Sequence, residues 1–433
     1  MKNRLLLFHL ALWGVLALTS CSRGTRWDRM SDDALLDTVG QLTIRYFTDF
    51  ADPHTGLARE RNDHPEGNIV TIGGSGFGVM AIIAGAERGY ISKDEGIARI
   101  AKITESLRRI ERFHGAWSHW YDGDTGKPFS FSEFDDGGDL VETAFMAQGL
   151  LTARQWLSRE GCDSLAAEAD ALWRDIEWNW YTCGTDSLYW HWSKNWEWKM
   201  NHRIKGYDET LITYVLGASS PTYPISRQCY EASYKTSDYY YNGKEYYGIE
   251  LPLGMEYGGP LFFCHYSYLG LDPRGLCDSY CNYFDRNRAH TLIHYEYAKA
   301  NPYGHKGLGE NLWGFTSSDD WEKGYTSHHP MTPEENGTVS PTAAVSSIVY
   351  TPVESMRVLR YLVGHGMLGE YGLYDAYNEG APEPVLKHYL AIDQGPEAVM
   401  IENYRSGLLW DLFMSAPEVR EGLAKLGFYY ETK

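Results

Sequence analysis

Cysteine is scarce in this chain, at seven of 433 residues. Six of the seven lie beyond the N-terminal segment: Cys162, Cys183, Cys229, Cys264, Cys277 and Cys281. They form no paired CxxC motifs and have no histidines at the spacing of a zinc site, and their density is far below that of a disulfide scaffold. An exported chain could oxidise some of them, but we expect Cys277 and Cys281 to be small buried residues and neighbours on one helix.

Basic residues are also in the minority, with 39 Lys and Arg against 58 Asp and Glu and a formal net charge of −19. No basic run interrupts this negative charge. Because a negative field repels phosphate backbones, we expect no nucleic-acid partner. A neutral substrate is easier to accommodate.

Long apolar runs are rare, and the first one marks an export signal. Residues 1–21, MKNRLLLFHLALWGVLALTSC, combine a basic start, an apolar segment too short for a comfortable membrane span, and small residues before a cysteine. The order Leu-Thr-Ser-Cys resembles a bacterial lipobox. We predict a lipoprotein signal peptide over 1–20, lipidation at Cys21, a tether over 21–30 and one catalytic domain over 31–433. An ordinary secretory signal is the alternative, and either signal takes the protein out of the cytoplasm. With the lipid anchor we expect it in the bacterial cell envelope, at the periplasm or the outer-membrane surface.

Aromatic residues, in contrast, make up 15% of the chain, and many stand beside polar ones. The segments WSHWYDGD (117–124) and YWHWSKNWEWKMNHR (189–203) mix indole rings with Lys, Asn and His. Sugar rings present apolar C–H faces and equatorial hydroxyls, which such surfaces bind. The candidate sugar contacts are Trp117, His119, Trp120, Trp192, Trp196 and Lys199. Some of them could instead be ordinary core residues.

No Pro-rich or Ser-rich linker divides the chain, and a loose repeat runs through it. Glycine-led apolar helices are predicted near residues 74, 137, 205, 258, 337 and 394. Amphipathic helices are predicted between them, beginning near 33, 93, 163, 224, 274 and 352. Six buried helices alternating with six amphipathic ones predict an all-α (α/α)6 barrel, with a C-terminal helix or pair after residue 405. The Tyr-rich segment 235–259 is predicted to be a long loop or hairpin.

Carboxylates gather at the start of two predicted inner helices. They are Asp135, Asp136, Asp139 and Glu142 in FDDGGDLVETAF (134–145), and Asp208 and Glu209 in KGYDET (205–210). If the inner helices are parallel, their N-termini meet at one end of the barrel, where backbone N–H groups and helix dipoles stabilise anions. Helix capping explains one such acid, but a set converging on one end favours a catalytic cavity.

Hydrolysis of a glycosidic bond needs one protonated carboxyl and one ionised carboxylate. An inverting pair stands ~6.5–9.5 Å apart, whereas side chains one helical turn apart are only about 5–6 Å apart at Cβ. A pair formed across the cavity, between Glu209 and one of Asp135, Asp139 and Glu142, meets this requirement better. We predict Asp135, Asp139, Glu142 and Glu209 as catalytic residues. The identity of the proton donor stays open, because helix dipoles lower a carboxyl pKa and crowding raises it.

Two further segments carry acids. Asp393 precedes the last predicted inner helix and is a candidate substrate contact in the same cavity. YDGDTGKP (121–128) alternates acids as calcium loops do, but it lacks their closing glutamate, so we expect a plain turn. We expect neither a metal ion nor a cofactor.

Several motifs together resemble the glycoamylase-like domain found in glycoside hydrolase family 144. They include GGDLVETAFMAQGLL, LPLGMEYGGPLFFCHYSYLGLDPRGL, SPTAAVSSIVYTPVESM and AIDQGPEAVMIENYRSGLLWDLFM, and the similarity runs from about residue 30 to 428. The resemblance implies an (α/α)6 barrel that cleaves β-1,2-glucan with inversion, by endo cleavage or by exo release of sophorose. It also implies that the essential acids are Asp135, Asp139, Glu142 and Glu209.

The chain departs from the pattern of that family at GYDET, where an acid stands beside Glu209, and in an enlarged KTSDYYYNG loop. Two alternatives therefore remain: the same fold acting on another glucan linkage, as a glucoamylase does, and a glycan-binding lipoprotein without catalysis. The expected partners are an oligo- or polysaccharide substrate and, through the lipid anchor alone, a membrane.

Overall fold

A computed structural model describes residues 26–431 of the chain. The predicted signal peptide and Cys21 lie outside the described residues, so those predictions stand on the sequence alone. No helix of the described part has the combination of length and hydrophobicity that a membrane span requires.

The described residues are mostly helical. The α-helices are α1 (Asp32–Thr48), α2 (Ile72–Arg88), α3 (Lys93–Arg109), α4 (Leu140–Arg159), α5 (Asp163–Arg174), α6 (Leu211–Ser219), α7 (Arg227–Ala232), α8 (Tyr283–Ala300), α9 (Pro341–Ser346), α10 (Pro352–Gly364), α11 (Ala391–Arg405), α12 (Leu408–Met414) and α13 (Pro417–Leu426). Short 3-10 turns span Trp27–Arg29, Trp180–Thr182, Tyr234–Thr236, Glu256–Gly258, Leu261–Cys264, Tyr266–Tyr268 and Ser347–Val349.

These helices form the predicted (α/α)6 barrel. The inner ring runs from α2 through α4, α6, the turns of 261–268 and α9 to α11, and α11 packs against α2 to close it. The outer positions are held by α1, α3, α5, α7, α8 and α10. Nearly every residue of α2 and α4 is buried, whereas α3 and α5 bury one face each. The difference follows from sequence, since the inner helices are apolar all round and the outer ones are amphipathic.

Glycine brings α2 and α4 into close contact. A Cβ at Gly76 would lie 2.4 Å from the Phe145 carbonyl oxygen, and one at Gly149 would lie 2.4 Å from the Gly76 carbonyl oxygen. Because real Cβ atoms do not approach this closely, larger residues would push the two inner helices apart. This packing sets the position of the α4 N-terminus, which carries predicted site residues.

Strands are short and connect the helices at their ends. They span Ile69–Thr71, Trp120–Asp122, Pro128–Phe129, Gly138–Asp139, His191–Trp192, Tyr241–Tyr246, Ile249–Leu253, Leu276–Cys277, Ser317–Ser318, Thr326–Ser327, Leu368–Gly369, Gly372–Leu373, Ala376–Tyr377, Val385–Leu386 and Tyr429–Tyr430. The pairs are antiparallel. Strands Tyr241–Tyr246 and Ile249–Leu253 form a hairpin, as the sequence predicts for 235–259.

Two local predictions are wrong. The fourth inner position, near residue 258, holds 3-10 turns and no α-helix, because Gly258 and Gly259 both adopt positive φ and interrupt helical geometry. Cys277 and Cys281 do not share a helix: Cys277 is the last residue of a strand, and α8 begins only at Tyr283. The Cys277 side chain is nevertheless buried, as expected.

The C-terminal segment forms a pair of helices, α12 and α13. Arg154 of α4 donates hydrogen bonds to both Glu418 oxygens, at 3.0 and 2.9 Å, and also contacts Asp170 of α5. Since these side chains are largely buried, the network attaches α13 to the barrel.

Candidate active site

A cavity of about 590 Å³ opens at the end of the barrel where the inner helices begin. Carboxylates from three parts of the chain line it: Glu60, Asp135, Glu142 and Glu209. Aromatic side chains supply much of its remaining surface: Trp120, Phe131, Phe145, Trp190, Phe262, Tyr266 and Tyr325. A concave site of this size with a few converging polar groups is typical of small-molecule and saccharide binding.

Asp139 is the N-cap of α4 and is fully buried. Its Oδ1 accepts the N–H groups of Val141 and Glu142, both at 2.9 Å. Its Oδ2 accepts hydrogen bonds from His119 Nδ1 and Trp190 Nε1, also at 2.9 Å. Burial raises the pKa of Asp139, but these hydrogen bonds outweigh it and leave the pKa below the usual range. Asp139 is therefore a buried anion that does not line the cavity.

The adjacent glycines explain why the sequence reads GGD here. Gly138 and Asp139 pair with Trp192 and His191 in a two-stranded ladder. A Cβ at Gly137 would lie 2.2 Å from the Trp192 carbonyl oxygen. Only glycine lets the two segments approach this closely at the mouth of α4.

His119 lies among three carboxylates. Its Nδ1 is 2.9 Å from Asp139 Oδ2 and 3.8 Å from Asp135 Oδ2, and its Nε2 is 3.9 Å from Glu142 Oε1. Burial lowers the pKa of this imidazole, but the charge of Glu142 and the hydrogen bond to Asp139 raise it to about 10. His119 is thus an imidazolium at neutral pH, and it holds the acids of the α4 mouth together.

Asp135 and Glu142 titrate near neutrality. Burial, followed by the charge of Asp139, raises the pKa of Asp135 to about 7. Burial also raises the pKa of Glu142 to about 7, against the opposing charge of His119. Glu142 Oε2 accepts the N–H of Gly73 at 2.8 Å, whereas Asp135 Oδ1 has no hydrogen-bond partner in the described part of the chain. Asp135 Oδ1 is buried, 3.5 Å from His191 Nε2, and Asp135 contributes to the cavity lining without a hydrogen bond at that oxygen from residues 26–431.

Glu209 lines the cavity from the residues just before α6. The Ser267 hydroxyl donates to its backbone carbonyl at 2.5 Å and fixes this turn. Its Oε2 is buried and has no partner among residues 26–431. Burial, then the neighbouring charge of Asp208, raises the pKa of Glu209 well above its usual range. Of the cavity acids, Glu209 is the one best suited to hold a proton at neutral pH.

The structure separates the predicted sugar contacts into three groups. Trp120 and His119 line the cavity. Trp196, 37% exposed, and Lys199 lie outside the cavity lining, where Lys199 Nζ is 4.3 Å from the Trp196 ring and 4.2 Å from the Phe134 ring. This second group forms a surface patch whose part in sugar binding remains a prediction.

Two predicted sugar contacts point elsewhere. Trp117 is fully buried, and its Nε1 donates to the Leu107 carbonyl at 3.1 Å, so it is a core residue. Trp192 pairs with Gly138 in the ladder and packs edge-on against His114 and Trp180, away from the cavity lining.

Asp393 also departs from its predicted place. It is only 4% exposed and lies behind the cavity wall, to which its neighbour Ile392 contributes. Asp136 is a half-buried loop residue that accepts a hydrogen bond from Asn195 at 2.6 Å. Asp208 accepts the N–H of Thr210 at 2.9 Å and is absent from the cavity lining.

Several residues that line the cavity were not predicted from the sequence. Phe131 is 46% exposed and stacks on His119, with ring centroids 4.3 Å apart and planes 13° apart. Trp190 stacks on His202 at 4.9 Å. Their proximity to polar residues in the sequence was the available signal, but Phe131 lies in the segment PFSFSEF, which has no periodic pattern.

His119, Asp135 and Asp139 have donor atoms within 4.8 Å of one another, close enough to ligate a cation. A metal-bound histidine must be neutral and must offer its lone pair to the metal. Here the pKa of His119 is about 10, and the Asp139 oxygen nearest to it already accepts two hydrogen bonds. The arrangement fits an imidazolium better than a metal ion.

Comparisons with known proteins agree with this geometry. The family model Glycoamylase, described as "Putative glucoamylase", matches residues 201–417, and a model described as "Protein of unknown function (DUF3131)" matches residues 39–140. The solved endo-β-1,2-glucanase from Chitinophaga pinensis, in complex with sophorotriose and glucose, is 47% identical, with a TM-score of 0.89. That match covers 92% of this chain and 99% of the other.

A curated relative from Parabacteroides distasonis, an exo β-1,2-glucooligosaccharide sophorohydrolase (non-reducing end), is 44% identical over 92% of this chain. The chain spans 58% of the length of that relative. The solved β-1,2-glucanase from the same organism is 43% identical, with a TM-score of 0.88 and coverage of 92% of this chain and 60% of the other.

Proposed function

The chain belongs to the Glycoamylase family, as its motifs predict, and from that premise we propose that it is a glycoside hydrolase that cleaves β-1,2-linked glucan. One observation carries the proposal. The cavity brings together Glu209, which lies just before α6 and holds a proton at neutral pH, and two acids at the mouth of α4, Asp135 and Glu142, which titrate near neutrality. This arrangement supplies both an acid and a base.

In the proposed reaction, Glu209 donates its proton to the glycosidic oxygen as the C1–O bond breaks. A water molecule attacks C1 from the opposite face and passes its proton to a carboxylate, which inverts the anomeric configuration. We assign the base to Asp135, because it lines the cavity and no donor in the described part of the chain lies within hydrogen-bond distance of its carboxylate, whereas Glu142 Oε2 accepts the N–H of Gly73. Exchange with solvent then restores both protonation states.

His119 and Asp139 act through the other acids. Asp139 anchors the His119 imidazolium, and the charge of His119 opposes the rise in the pKa of Asp135 and Glu142. A base is most effective when its pKa lies near the working pH. The buried pair therefore adjusts Asp135 toward the range in which a base operates.

The aromatic side chains supply the sugar-binding surface. Trp120 and Phe131 stand edge to face, 5.0 Å apart, on one wall, and Trp190 stacks with His202 on another. The apolar faces of glucose units pack on such rings. The proposed substrate is thus an uncharged glucan chain, in keeping with the excess of acidic residues.

The choice of the β-1,2 linkage is supported by what the relatives act on, and a panel of glucans of defined linkage tests it. We expect turnover of β-1,2-glucan alone, with sophoro-oligosaccharide or sophorose products. Short products of mixed length would indicate endo cleavage, and sophorose alone would indicate exo cleavage. Turnover of another glucan without β-1,2 cleavage would refute the linkage. Binding without turnover by any substrate would indicate a glycan-binding protein instead.

We also propose that the protein works at the bacterial cell envelope, anchored by a lipid on Cys21. The signal-like sequence of residues 1–21 supports this location. Metabolic labelling with a fatty acid should modify the wild-type chain, and Cys21→Ser should abolish the label and move the protein out of the membrane fraction. An unlabelled wild-type chain would exclude the anchor.

A further inference from the structure

A second group of buried acids lies behind the cavity wall, near the start of α11. It consists of Asp319, Asp375 and Asp393, and we call it the α11 acid cluster. Asp375 and Asp393 are 0% and 4% exposed. The proposed reaction uses none of the three. A cluster of buried acids is costly unless each charge is paired or neutralised, so its presence needs a physical reason.

Arg61 connects this cluster to the cavity. Its guanidinium lines the cavity and donates from Nη1 to both Asp319 oxygens, at 3.0 and 3.1 Å. Its Nε donates to Glu60 Oε2 at 2.7 Å, and Glu60 also lines the cavity. The shape and charge of this part of the wall therefore depend on where Asp319 lies.

Asp375 holds both neighbouring acids. Its Oδ2 accepts the backbone N–H of Asp319 at 2.7 Å. Its carboxyl group also faces the carboxyl group of Asp393. Asp375 Oδ1 and Asp393 Oδ2 are both buried, and neither accepts a hydrogen bond from a donor within residues 26–431. Two ionised carboxylates only accept hydrogen bonds, so this contact requires one proton shared between them.

The pKa values of the three acids are consistent with a single proton shared between Asp375 and Asp393. Burial, then the charge of Asp375, raises the pKa of Asp393 well above its usual range. Burial and the charge of Asp319 raise the pKa of Asp375 to about 7. Burial would also raise the pKa of Asp319, but the hydrogen bonds from His388 and Arg61 lower it.

The remaining titratable groups that face the cluster are of both signs. Glu60 and Asp63 add negative charge to that of the three acids, and His388 bridges Asp319 at 2.5 Å and Asp63 at 3.0 Å. The hydroxyls of Tyr266 and Tyr325 lie within the field of Asp393. The negative charges exceed the positive charges of Arg61 and His388, which favours retention of the shared proton.

We propose that Asp375 is a positioning residue of the active site. By sharing a proton with Asp393 and accepting the N–H of Asp319, it fixes the start of α11 and holds the Asp319–Arg61 pair at the cavity wall. Arg61 and Ile392, the residue before Asp393, both line the part of the wall that it shapes. Since neither group is a proposed acid or base, the contribution of Asp375 is to substrate binding. This role rests on the proposed function, but the shared proton does not.

Asp375→Asn in the full chain tests both parts. An asparagine amide can donate to Asp393, so Asp393 no longer needs a proton to make the contact. Buried acids with raised pKa values lose stability as pH rises, because the unfolded state ionises first. In the wild type this pair should make the free energy of unfolding fall between pH 5 and pH 8.5. We expect Asp375→Asn to remove that part of the fall, and Asp393→Asn to remove it likewise.

Kinetics with β-1,2-glucan supply the second readout. Asp375→Asn should raise KM by about tenfold and change kcat little, as expected when a residue supports binding more than chemistry. Glu383→Gln is the matched control, since it removes an exposed acid from the loop that follows Asp375. It should leave both KM and the pH dependence of unfolding near the wild-type values.

Two results would overturn the inference. A pH dependence of unfolding that neither variant changes would show that no proton is shared. An altered pH dependence with wild-type KM would show that the pair plays no part in positioning. If no glucan is cleaved at all, the proposed function fails, and the unfolding measurement still decides the shared proton.

Discussion

Replacing Glu209 by glutamine should lower kcat/KM on β-1,2-glucan by about 10²–10⁴-fold, the usual contribution of a general acid. Glutamine keeps the shape of the side chain but has no proton of the required acidity. Burial and the charge of Asp208 hold the pKa of Glu209 well above its usual range. The wild-type rate should therefore fall at high pH, as pH rises past that raised pKa, and also in acid, as the base Asp135 becomes protonated below its pKa of about 7.

The pH profile separates loss of the acid from a folding defect. Glu209→Gln should lose the fall at high pH along with most of its activity, and its free energy of unfolding should be maintained or increased at pH 8, because a buried acid has been neutralised. Glu245→Gln, on the exposed strand of the hairpin, is the matched control and should retain wild-type kinetics. Near-wild-type turnover by Glu209→Gln would remove Glu209 from the mechanism.

Asp139→Asn should have the second large effect, on both stability and activity. The Asp139 carboxylate accepts four hydrogen bonds and donates none. An asparagine NH₂ group would face two of these donors, and the buried imidazolium of His119 would lose the anion it contacts at 2.9 Å. We expect a loss of about 3–5 kcal/mol in the free energy of unfolding, as for one partner removed from a buried ion pair.

The pH dependence of this loss has a definite sign. The pKa of Asp139 is lowered in the folded state, so its stabilisation is present above its unfolded pKa and is lost as pH falls through the folded value. The difference between wild type and variant should be largest near pH 7 and shrink in acid. Chemical denaturation at pH 7 and pH 3 measures it, with Asp136→Asn as the control from the same loop. A difference that does not shrink in acid would contradict the role of the charge.

The barrel was predictable because burial patterns follow a period of 3.6 residues over long segments. Helices such as α2 and α4 are apolar all round, and α3 has a charged face, so their inner and outer places could be assigned. The prediction failed at the fourth inner position, because Gly258 and Gly259 adopt positive φ angles where the sequence predicts an inner helix.

The acids of the site were also predictable, but their roles were not. Position in the motifs placed Asp135, Glu142 and Glu209 at one end of the barrel, where all three line the cavity. Asp139 has the helix-capping contacts that the sequence also allowed, and it lies beneath the cavity surface. Its role depends on His119, which lies twenty residues earlier in the chain. No local sequence pattern predicts that contact.

Tryptophan positions show a similar limit. Trp117 and Trp120 stand three residues apart, yet one packs in the core and the other lines the cavity. Composition alone identifies a sugar-binding class of protein but not the direction of each ring. The contact between Asp375 and Asp393 was equally unpredictable, since it joins a bend between two short strands to the start of α11.

The stereochemistry of the first product tests the central claim most directly, because the account requires a proton donor before α6 and a separate water-activating base before α4. Proton NMR of β-1,2-gluco-oligosaccharide hydrolysis, recorded within the first minutes and before mutarotation, reports the anomer released. We predict that the α-anomer appears first, as inversion of a β-linkage requires. Initial release of the β-anomer would instead demand a covalent intermediate and would contradict the account.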